Sequence, residues 1–192
     1  MKAIVVAGDK NYLTPMLTTI KSILYYNQHV KIYILHQNIP SDWFHEVKIQ
    51  VERLGSLVED IFIGDVIDPE WKTQGHISPI AYARYLIPRL ITEDRVVYLD
   101  SDIIVHGDLS PLFDLDLGDY SLAAVRDVDG NGFNSGMLVI DCQKWREKDI
   151  TSLLFDKTVE YMSNLEQRTT EGFNGDQTIF NLVFQNHWQE LD

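Results

Sequence analysis

Two aspartates separated by a single serine follow the most strand-like segment of the chain. Asp100 and Asp102 stand in the stretch RVVYLDSDIIVHGD, directly after the apolar run VVYL. Because side chains alternate across a strand, the two carboxylates are expected on the same side, a few ångströms apart. At about 4 Å they repel by about 1 kcal/mol in water and by about 4 kcal/mol at an effective dielectric near 20. A divalent cation with oxygen ligands, Mg²⁺ or Mn²⁺, would relieve that repulsion, and a capped turn is the structural alternative.

The spacing of the two aspartates is a weak signal when it is taken alone. A chain with nineteen aspartates is expected to contain about two D-x-D triplets by chance. Two more do occur. Asp114 and Asp116 lie in an alternating polar and apolar stretch, which predicts a solvated face, and Asp127 and Asp129 begin a glycine-rich loop. The first pair stands out because a long apolar run precedes it directly.

The elements that would position these residues alternate between strands and helices. Short apolar runs predict strands over 3–7, 30–36, 57–63, 95–99, 121–125 and 136–142. Thr14-Pro15 and Ser78-Pro79 each indicate a helix cap followed by a first-turn proline. Helices are predicted over 15–27, 41–54, 80–91, 143–163 and 176–186. The alternation predicts an α/β fold, a mostly parallel sheet with helices on both faces.

In such sheets ligands bind beyond the carboxyl ends of the strands. The predicted strands 3–7, 95–99 and 121–125 each end one or two residues before a candidate aspartate. If these strands are parallel, four carboxylates lie at the same edge of the sheet. These are Asp9, Asp100, Asp102 and Asp127. The aspartate pair is therefore predicted to lie where a ligand would bind.

Composition and charge exclude several classes of function. The chain has 192 residues, the length of one domain, and a formal net charge of −13. Because no stretch gathers lysine or arginine, a nucleic-acid partner is not expected. Cys142 is the only cysteine, which rules out an intramolecular disulfide and favours a reducing compartment. We find no signal-peptide core and no membrane span, so a cytoplasmic location is expected; peripheral membrane association is left open.

Five blocks of the sequence together resemble the family 8 glycosyltransferases, the bacterial galactosyl- and glucosyltransferases related to glycogenin. In chain order the blocks are VVAGDKNYLTPMLTTIKS, SPIAYARYLIP, YLDSDIIVHGDLSPLFDLDLGD, FNSGMLVIDCQKWR and NGDQTIFNLVF. The resemblance implies the GT-A fold of nucleotide-diphospho-sugar transferases. It also implies the transfer of a hexose from UDP-galactose or UDP-glucose to a saccharide or glycoconjugate acceptor. Transfer in this family retains the anomeric configuration and is assisted by Mn²⁺, with Mg²⁺ as the alternative.

The resemblance implies a donor site built on the aspartate pair. Asp100 and Asp102 would chelate the metal that bridges the UDP diphosphate, where a cation stabilises the negative charge of the leaving group. Asp9 and Asn11 would contact the uracil and ribose, and Tyr12 would stack on the base; from the residues alone, GDKNY is better explained as a polar turn. The remaining expected donor contacts, which include an arginine reaching the diphosphate or sugar from its helix, are Ala7, Arg84, Ser101, Asn134, Ser135 and Gly136.

The residues expected to be catalytic by the same resemblance lie near the sugar. Asp127 and Asp176 would accept hydrogen bonds from sugar hydroxyls, and Gln177 would lie on the β-face of the anomeric carbon. An amide is a poor nucleophile, which favours a front-side route in which the UDP phosphate takes the proton of the acceptor hydroxyl, without a covalent intermediate. Gly136 would let the backbone approach the sugar, and Asn134 would offer an amide to its hydroxyls.

Two departures from the family pattern suggest an incomplete donor site. The late H-x-x-G-x-K-P-W segment, whose histidine usually supplies a third metal ligand, does not occur before the final HWQELD, and Thr178 stands where the family often has aspartate. The chain is interpreted as a single GT-A domain, 1–192, truncated at its C-terminus. The alternative function is a module that binds nucleotide sugar and metal without turnover. Haloacid-dehalogenase-type phosphotransferases also use D-x-D, but after their first strand and before Thr or Val, not before Ile103.

Overall fold

A computed structural model describes residues 1–71, 73, 77–128, 132–165, 172–185 and 187–191. Within them, seven strands form one sheet in the order β3-β2-β1-β4-β6-β5-β7. The strands are β1 (Lys2–Ala7), β2 (Val30–His36), β3 (Leu57–Phe62), β4 (Arg95–Leu99), β5 (Leu122–Arg126), β6 (Phe133–Asp141) and β7 (Gln189–Leu191). β6 runs antiparallel to β4 and β5, and the other adjacent pairs are parallel. The predicted mostly parallel sheet is confirmed.

Helices cover both faces of the sheet, because strand side chains alternate between two apolar clusters. Ile4 and Val6 pack with residues of α1 and α2, whereas Val5 and Ala7 pack with residues of α5, α6 and α7. Among the described residues, no helix has the length and apolarity to cross a membrane. The helices are α1 (Leu13–Tyr26), α2 (Ser41–Glu52), α3 (Ile87–Leu90), α4 (Ser110–Phe113), α5 (Cys142–Glu147), α6 (Ile150–Leu165) and α7 (Gly175–Phe184).

Two predicted helix starts have different outcomes. Ser78 caps as predicted, with its hydroxyl 3.5 Å from the Ile80 nitrogen, but Pro79–Leu86 is a 3₁₀ segment and only α3 after it is α-helical. Thr14 is not an N-cap. Asp9 instead caps a 3₁₀ turn, Lys10–Tyr12, that continues directly into α1. Pro15 is tolerated inside the first turn because the N–H groups there have no partner within the helix.

The sheet order reverses between β1 and β4. From β1 the chain proceeds outward through β2 and β3, and it then returns to the other side of β1 as β4. Such a reversal opens a crevice at the carboxyl ends of the two central strands. β6 is antiparallel, so its first residues lie at this same edge. The fold therefore brings the ends of β1, β4 and β5 together with the start of β6.

Candidate active site

A cavity of about 360 Å³ opens at the edge where the sheet order reverses. Its volume lies in the range of small-molecule sites. Of the residues expected from the sequence, Asn11 and Asp127 are not part of its wall. The expected residues that do line it are Ala7, Asp9, Tyr12, Arg84, Asp100, Ser101, Asp102, Asn134, Ser135, Gly136, Asp176 and Gln177. Lining residues that the sequence did not indicate are Gly8, Ile77, Ser78, Ile80, Ala81, Tyr98 and Asn174.

The aspartate pair lies on a turn immediately after β4. The Asp100 N–H donates to the Gly136 carbonyl of β6 at 2.8 Å, and the Ile103 N–H donates back to the Asp100 carbonyl at 3.3 Å. Between the aspartates, the buried Ser101 donates its hydroxyl to the Ala7 carbonyl at the end of β1. This bond ties the turn to the neighbouring strand. Both aspartates line the cavity, but they follow the end of β4, so the turn and not strand alternation places them there.

The two carboxylate oxygens of Asp100 have different surroundings. Oδ1 lies 3.0 Å from Nη2 of Arg84 and accepts a hydrogen bond from the Tyr98 hydroxyl at 2.7 Å. Oδ2 faces Gly136, where an added Cβ would stand 2.8 Å from that oxygen. The absence of a side chain at Gly136 therefore leaves room for the Asp100 carboxylate.

Arg84 is a buried residue of the 3₁₀ segment, with a side chain only 5% exposed. Its Nε donates to the Ala81 carbonyl at 2.9 Å and its Nη1 to the Ser135 carbonyl at 2.5 Å. Burial acts to lower the pKa of Arg84, but the charges of Asp100 and Asp176 outweigh it and raise that pKa overall. The guanidinium thus joins the 3₁₀ segment, the turn after β4 and the start of β6.

Asp176 carries a carboxylate into the interior at the start of α7. Its Oδ2 lies 3.0 Å from Nε of Arg84, but the single proton of that nitrogen is donated to Ala81, so the contact is ionic without a hydrogen bond. Burial raises the pKa of Asp176 to about 6; Arg84 opposes this rise and Asp100 adds to it. A shifted acid on a cavity wall is typical of functional sites.

Gln177 connects α7 to β6 and to the end of β5. Its Oε1 accepts from the Ser135 N–H at 3.1 Å, and its Nε2 donates to Oδ2 of Asp127 at 2.8 Å. The pairing of β5 with β6 shifts register at Ala124 and Val125, and beside this shift the Gln177 side chain takes the place of a strand partner. Asp127 is thereby attached to a residue of the cavity wall without being part of that wall. Asp129 lies outside the described residues.

Asn181, one helical turn after Gln177, is a contact that the sequence analysis missed. Its side chain accepts from the Phe133 N–H and donates to the Phe133 carbonyl, both at 2.9 Å. Gly132, just before, has φ +85°, and an added Cβ would stand 2.0 Å from Oδ1 of Asn181. The spacing of Gln177 and Asn181 by four residues, which places them on one helix face, is the signal that could have revealed this contact.

The stretch GDKNY forms the capped turn between β1 and α1. Oδ1 of Asp9 accepts from the Asn11 N–H at 2.8 Å, and Asn11 itself is exposed. The Tyr12 hydroxyl lies 3.4 Å from Oδ2 of Asp102 and donates to it. Burial, and then the charge of Asp102, raise the pKa of Tyr12. The turn explanation of GDKNY is confirmed, and the same turn places an aromatic ring beside the aspartate pair.

Comparisons with known proteins point in one direction. A family model described as "Glycosyl transferase family 8" matches residues 3–192. "Glycosyltransferase GlyD" of Streptococcus pneumoniae serotype 4 is 48% identical over 191 residues, which are 99% of this chain and 24% of GlyD. The crystal structure of the glycosyltransferase GlyE of S. pneumoniae TIGR4 has a TM-score of 0.80 at 38% identity, covering 100% of this chain and 45% of that one.

A second solved structure is similar over nearly the whole chain. It is that of the galactosyltransferase LgtC in complex with donor and acceptor sugar analogs, with a TM-score of 0.84 at 27% identity. The match covers 99% of this chain and 73% of that one. The chain spans about a quarter of the length of GlyD and less than half of GlyE.

Proposed function

This chain belongs to glycosyltransferase family 8 and has the GT-A fold, and on that premise we propose that it is a UDP-sugar-dependent glycosyltransferase. It would move galactose or glucose from the UDP-sugar to a saccharide or glycoconjugate acceptor, as one domain over residues 1–192. The observation that carries the proposal is that Asp100 and Asp102 line a cavity at the reversal of the sheet. We propose the cytoplasm as its compartment, since the single cysteine forms no intramolecular disulfide.

The aspartate pair fits a divalent cation in the chemistry of its donors. Two carboxylates line the cavity, and Mg²⁺ is usually held by one or two carboxylates together with substrate phosphates and water. Among the described residues, no group of three or more His, Cys, Asp and Glu side chains converges on a metal position. The diphosphate would therefore complete the shell. Bound there, Mn²⁺ or Mg²⁺ would act as a Lewis acid on the leaving UDP.

The residues of the chain itself would bind and orient the donor. The capped turn at Asp9 would contact the nucleoside, with Tyr12 against the base beside the aspartate pair. Asn134, at the start of β6, would donate hydrogen bonds to sugar hydroxyls, and the buried Asp176, at the start of α7, would accept hydrogen bonds from them. Arg84, which is engaged with Asp100 and Asp176, would act on the donor through these carboxylates.

The contacts of Gln177 support a front-side transfer. Both ends of its amide are occupied, by the Ser135 N–H and by Asp127. An amide held in this way offers no nucleophile for a covalent intermediate. The UDP phosphate would accept the proton of the acceptor hydroxyl, while Gln177 and Asp127 would keep the start of β6 in place against the sugar.

The test is calorimetry of UDP binding with and without Mn²⁺. We expect the wild-type chain to bind UDP only with Mn²⁺, and Asp102→Ala to weaken this binding at least about tenfold, since one of two carboxylate donors is lost. Asp114→Ala is the matched control, because Asp114 belongs to a second D-x-D triplet and is exposed. An affinity for UDP that changes neither with Mn²⁺ nor with the Asp102 substitution would contradict the proposal.

Turnover separates the enzyme from a module that only binds. With UDP-galactose or UDP-glucose and Mn²⁺ present, the enzyme releases UDP, slowly to water and faster when an acceptor saccharide is added. A module that holds nucleotide sugar without chemistry would show the metal-dependent binding and no UDP release. The observation that favours this second function is that the described residues supply two carboxylate donors for a metal and no third.

A further inference from the structure

We infer that Tyr98 is a positioning residue that, together with Arg84, holds the Asp100 carboxylate so that one oxygen, Oδ2, is presented to the cation. The inference rests on the proposed function and deepens it, because it assigns to Tyr98 a role that acts through the Asp100 carboxylate. Three observations carry it: the contacts of Oδ1, the Oδ2 atom that these contacts do not engage, and the way the tyrosine is fixed in the sheet.

The first observation is that Oδ1 of Asp100 is already engaged by two side chains of the protein. The Tyr98 hydroxyl donates at 2.7 Å and Nη2 of Arg84 lies at 3.0 Å. The tyrosine contact is a hydrogen bond and the arginine contact is an ion pair, so this oxygen is held by a hydroxyl proton and by a positive charge. Both side chains are fixed from the protein side, and rotation of the carboxylate about its last bond would break both contacts.

The second observation is that, within the described part of the chain, Oδ2 makes neither a hydrogen bond nor an ion pair, since both contacts go to Oδ1. It faces Gly136, which has no side chain, and a Cβ there would stand 2.8 Å from it. The Asp100 side chain is 35% exposed and lines the cavity. Oδ2, which Tyr98 and Arg84 do not engage, is therefore the oxygen left to bind a cation.

The third observation is that Tyr98 cannot move away from this contact. It is 1% exposed in the middle of β4 pairing, between β1 and β6. Two residues before Asp100, it lies on the same side of the strand. Its ring also supports the guanidinium of Arg84, whose central carbon lies 4.6 Å from the ring centre. One buried side chain thus orients Asp100 directly and through Arg84.

Hydrogen bonds to a ligating carboxylate fix its orientation and tune its affinity, and their loss typically costs about 10–100-fold in metal binding. Tyr98→Phe removes the hydroxyl and keeps the ring beneath Arg84. We expect this variant to raise the Kd for Mn²⁺ about tenfold, measured by electron paramagnetic resonance of free Mn²⁺ at saturating UDP. At saturating Mn²⁺, its affinity for UDP should return to within about twofold of wild type, because only the cation is bound less tightly.

Tyr33→Phe is the matched control. Tyr33 is also a buried strand tyrosine, on β2, and it lies outside the cavity wall. Its hydroxyl donates to a carboxylate oxygen, Oε1 of Glu93, at 2.5 Å. We expect its Kd for Mn²⁺ to stay at the wild-type value. This control separates the position of the hydroxyl from the general loss of a buried tyrosine hydrogen bond.

Each outcome has a defined meaning. Unchanged Mn²⁺ affinity in Tyr98→Phe would overturn the inference. So would equal losses in both variants, or a weaker UDP affinity that excess Mn²⁺ does not restore, since these would indicate a merely structural role. If wild type shows no Mn²⁺-dependent UDP binding, the proposed function itself fails, and this is seen before any variant is compared.

Discussion

At the scale of single residues, Asp176 gives the candidate site a measurable dependence on pH. Burial raises its pKa to about 6. An acid with a raised pKa binds more protons in the folded chain than in the unfolded chain between its ordinary pKa, about 4, and about 6. Its contribution to stability is therefore largest in acid and is lost as the pH rises through that window.

Asp176→Asn should remove this dependence while keeping the shape of the side chain. Relative to wild type, we expect the free energy of unfolding of the variant to rise by about 1 kcal/mol between pH values of about 5.2 and about 7.5. The pKa of about 6 already includes the effect of Arg84 on the charged carboxylate, so the ionic contact needs no separate allowance. Urea titrations at the two pH values measure the change.

The control for this change is Asp116→Asn, because Asp116 is exposed and only closes a local turn by accepting from the Gly118 N–H. Its difference from wild type should not change between the two pH values. If the difference in the free energy of unfolding between wild type and the Asp176→Asn variant is also the same at both pH values, the raised pKa of Asp176 is contradicted.

Part of the site at this scale was predictable from the sequence. The run VVYL followed by two alternate aspartates predicted that both carboxylates share one side. The same alternation places Tyr98 on that side, but a tyrosine at a strand end is so commonly a core residue that its hydroxyl gave no separate signal. The partners of Arg84 could not be predicted, because they come from three segments that meet only once the 3₁₀ segment packs against β4 and β6.

At the scale of elements, α7 is attached to β6 through its polar side chains as well as its apolar face. Asn181 bonds both backbone groups of Phe133, and Gln177 bonds the Ser135 N–H. Such bonds satisfy polar backbone groups at the start of β6 that would otherwise need water as a partner. The wall of the cavity at the start of β6 therefore depends on the docking of α7.

Asn181→Ala should destabilise the chain by about 2–3 kcal/mol, because it leaves both backbone groups of the buried Phe133 without their partner. Chemical denaturation at neutral pH measures this change. Asn164→Ala is the matched control, since the Asn164 side chain only donates to a carbonyl of its own helix on the exposed surface. A loss in Asn181→Ala as small as in that control would show that α7 docks through its apolar face alone.

The sequence predicted strands and helices well where apolar runs were long. The run of 95–99 matches β4, and 30–36 matches β2. The direction of β6 could not be read from its pattern, because a run buried on both faces looks the same in either direction. β7 was missed, since three residues, QEL, are too few to show a period. The 3₁₀ geometry of Pro79–Leu86 is set by packing, since its residues also suit an α-helix.

At the scale of the whole molecule, the candidate site is assembled from segments that span most of the chain, from Ala7 to Gln177. A ligand that bridges these segments stabilises the folded chain as a unit, by about 2.7 kcal/mol at a concentration 100 times its Kd. Cys142 offers a way to observe this. It is fully buried at the junction of β6 and α5, and burial raises the pKa of its thiol to about 12.

Labelling of Cys142 by Ellman's reagent should require the chain to open, because the thiol is neither accessible nor ionised in the folded state. We expect UDP with Mn²⁺, each at about 100 times its Kd, to slow the labelling about 100-fold. UDP without Mn²⁺ should leave the rate unchanged. Labelling that proceeds at the same rate with and without both ligands would contradict a site that links β1, β4, β6 and α7.

The contact between Gly132 and Asn181 also constrains how sequences can diverge from this one. Any side chain at 132 would occupy the position of the Asn181 amide oxygen, and a positive φ already disfavours it. Loss of the asparagine, in turn, removes the steric conflict at 132 but leaves the positive φ there, and it leaves Phe133 without its bonds. Each single change therefore gives a less stable chain. A paired change that supplies new partners to Phe133 avoids this loss of stability. The two positions form an epistatic pair, and descendants are expected to keep both residues or to replace both together.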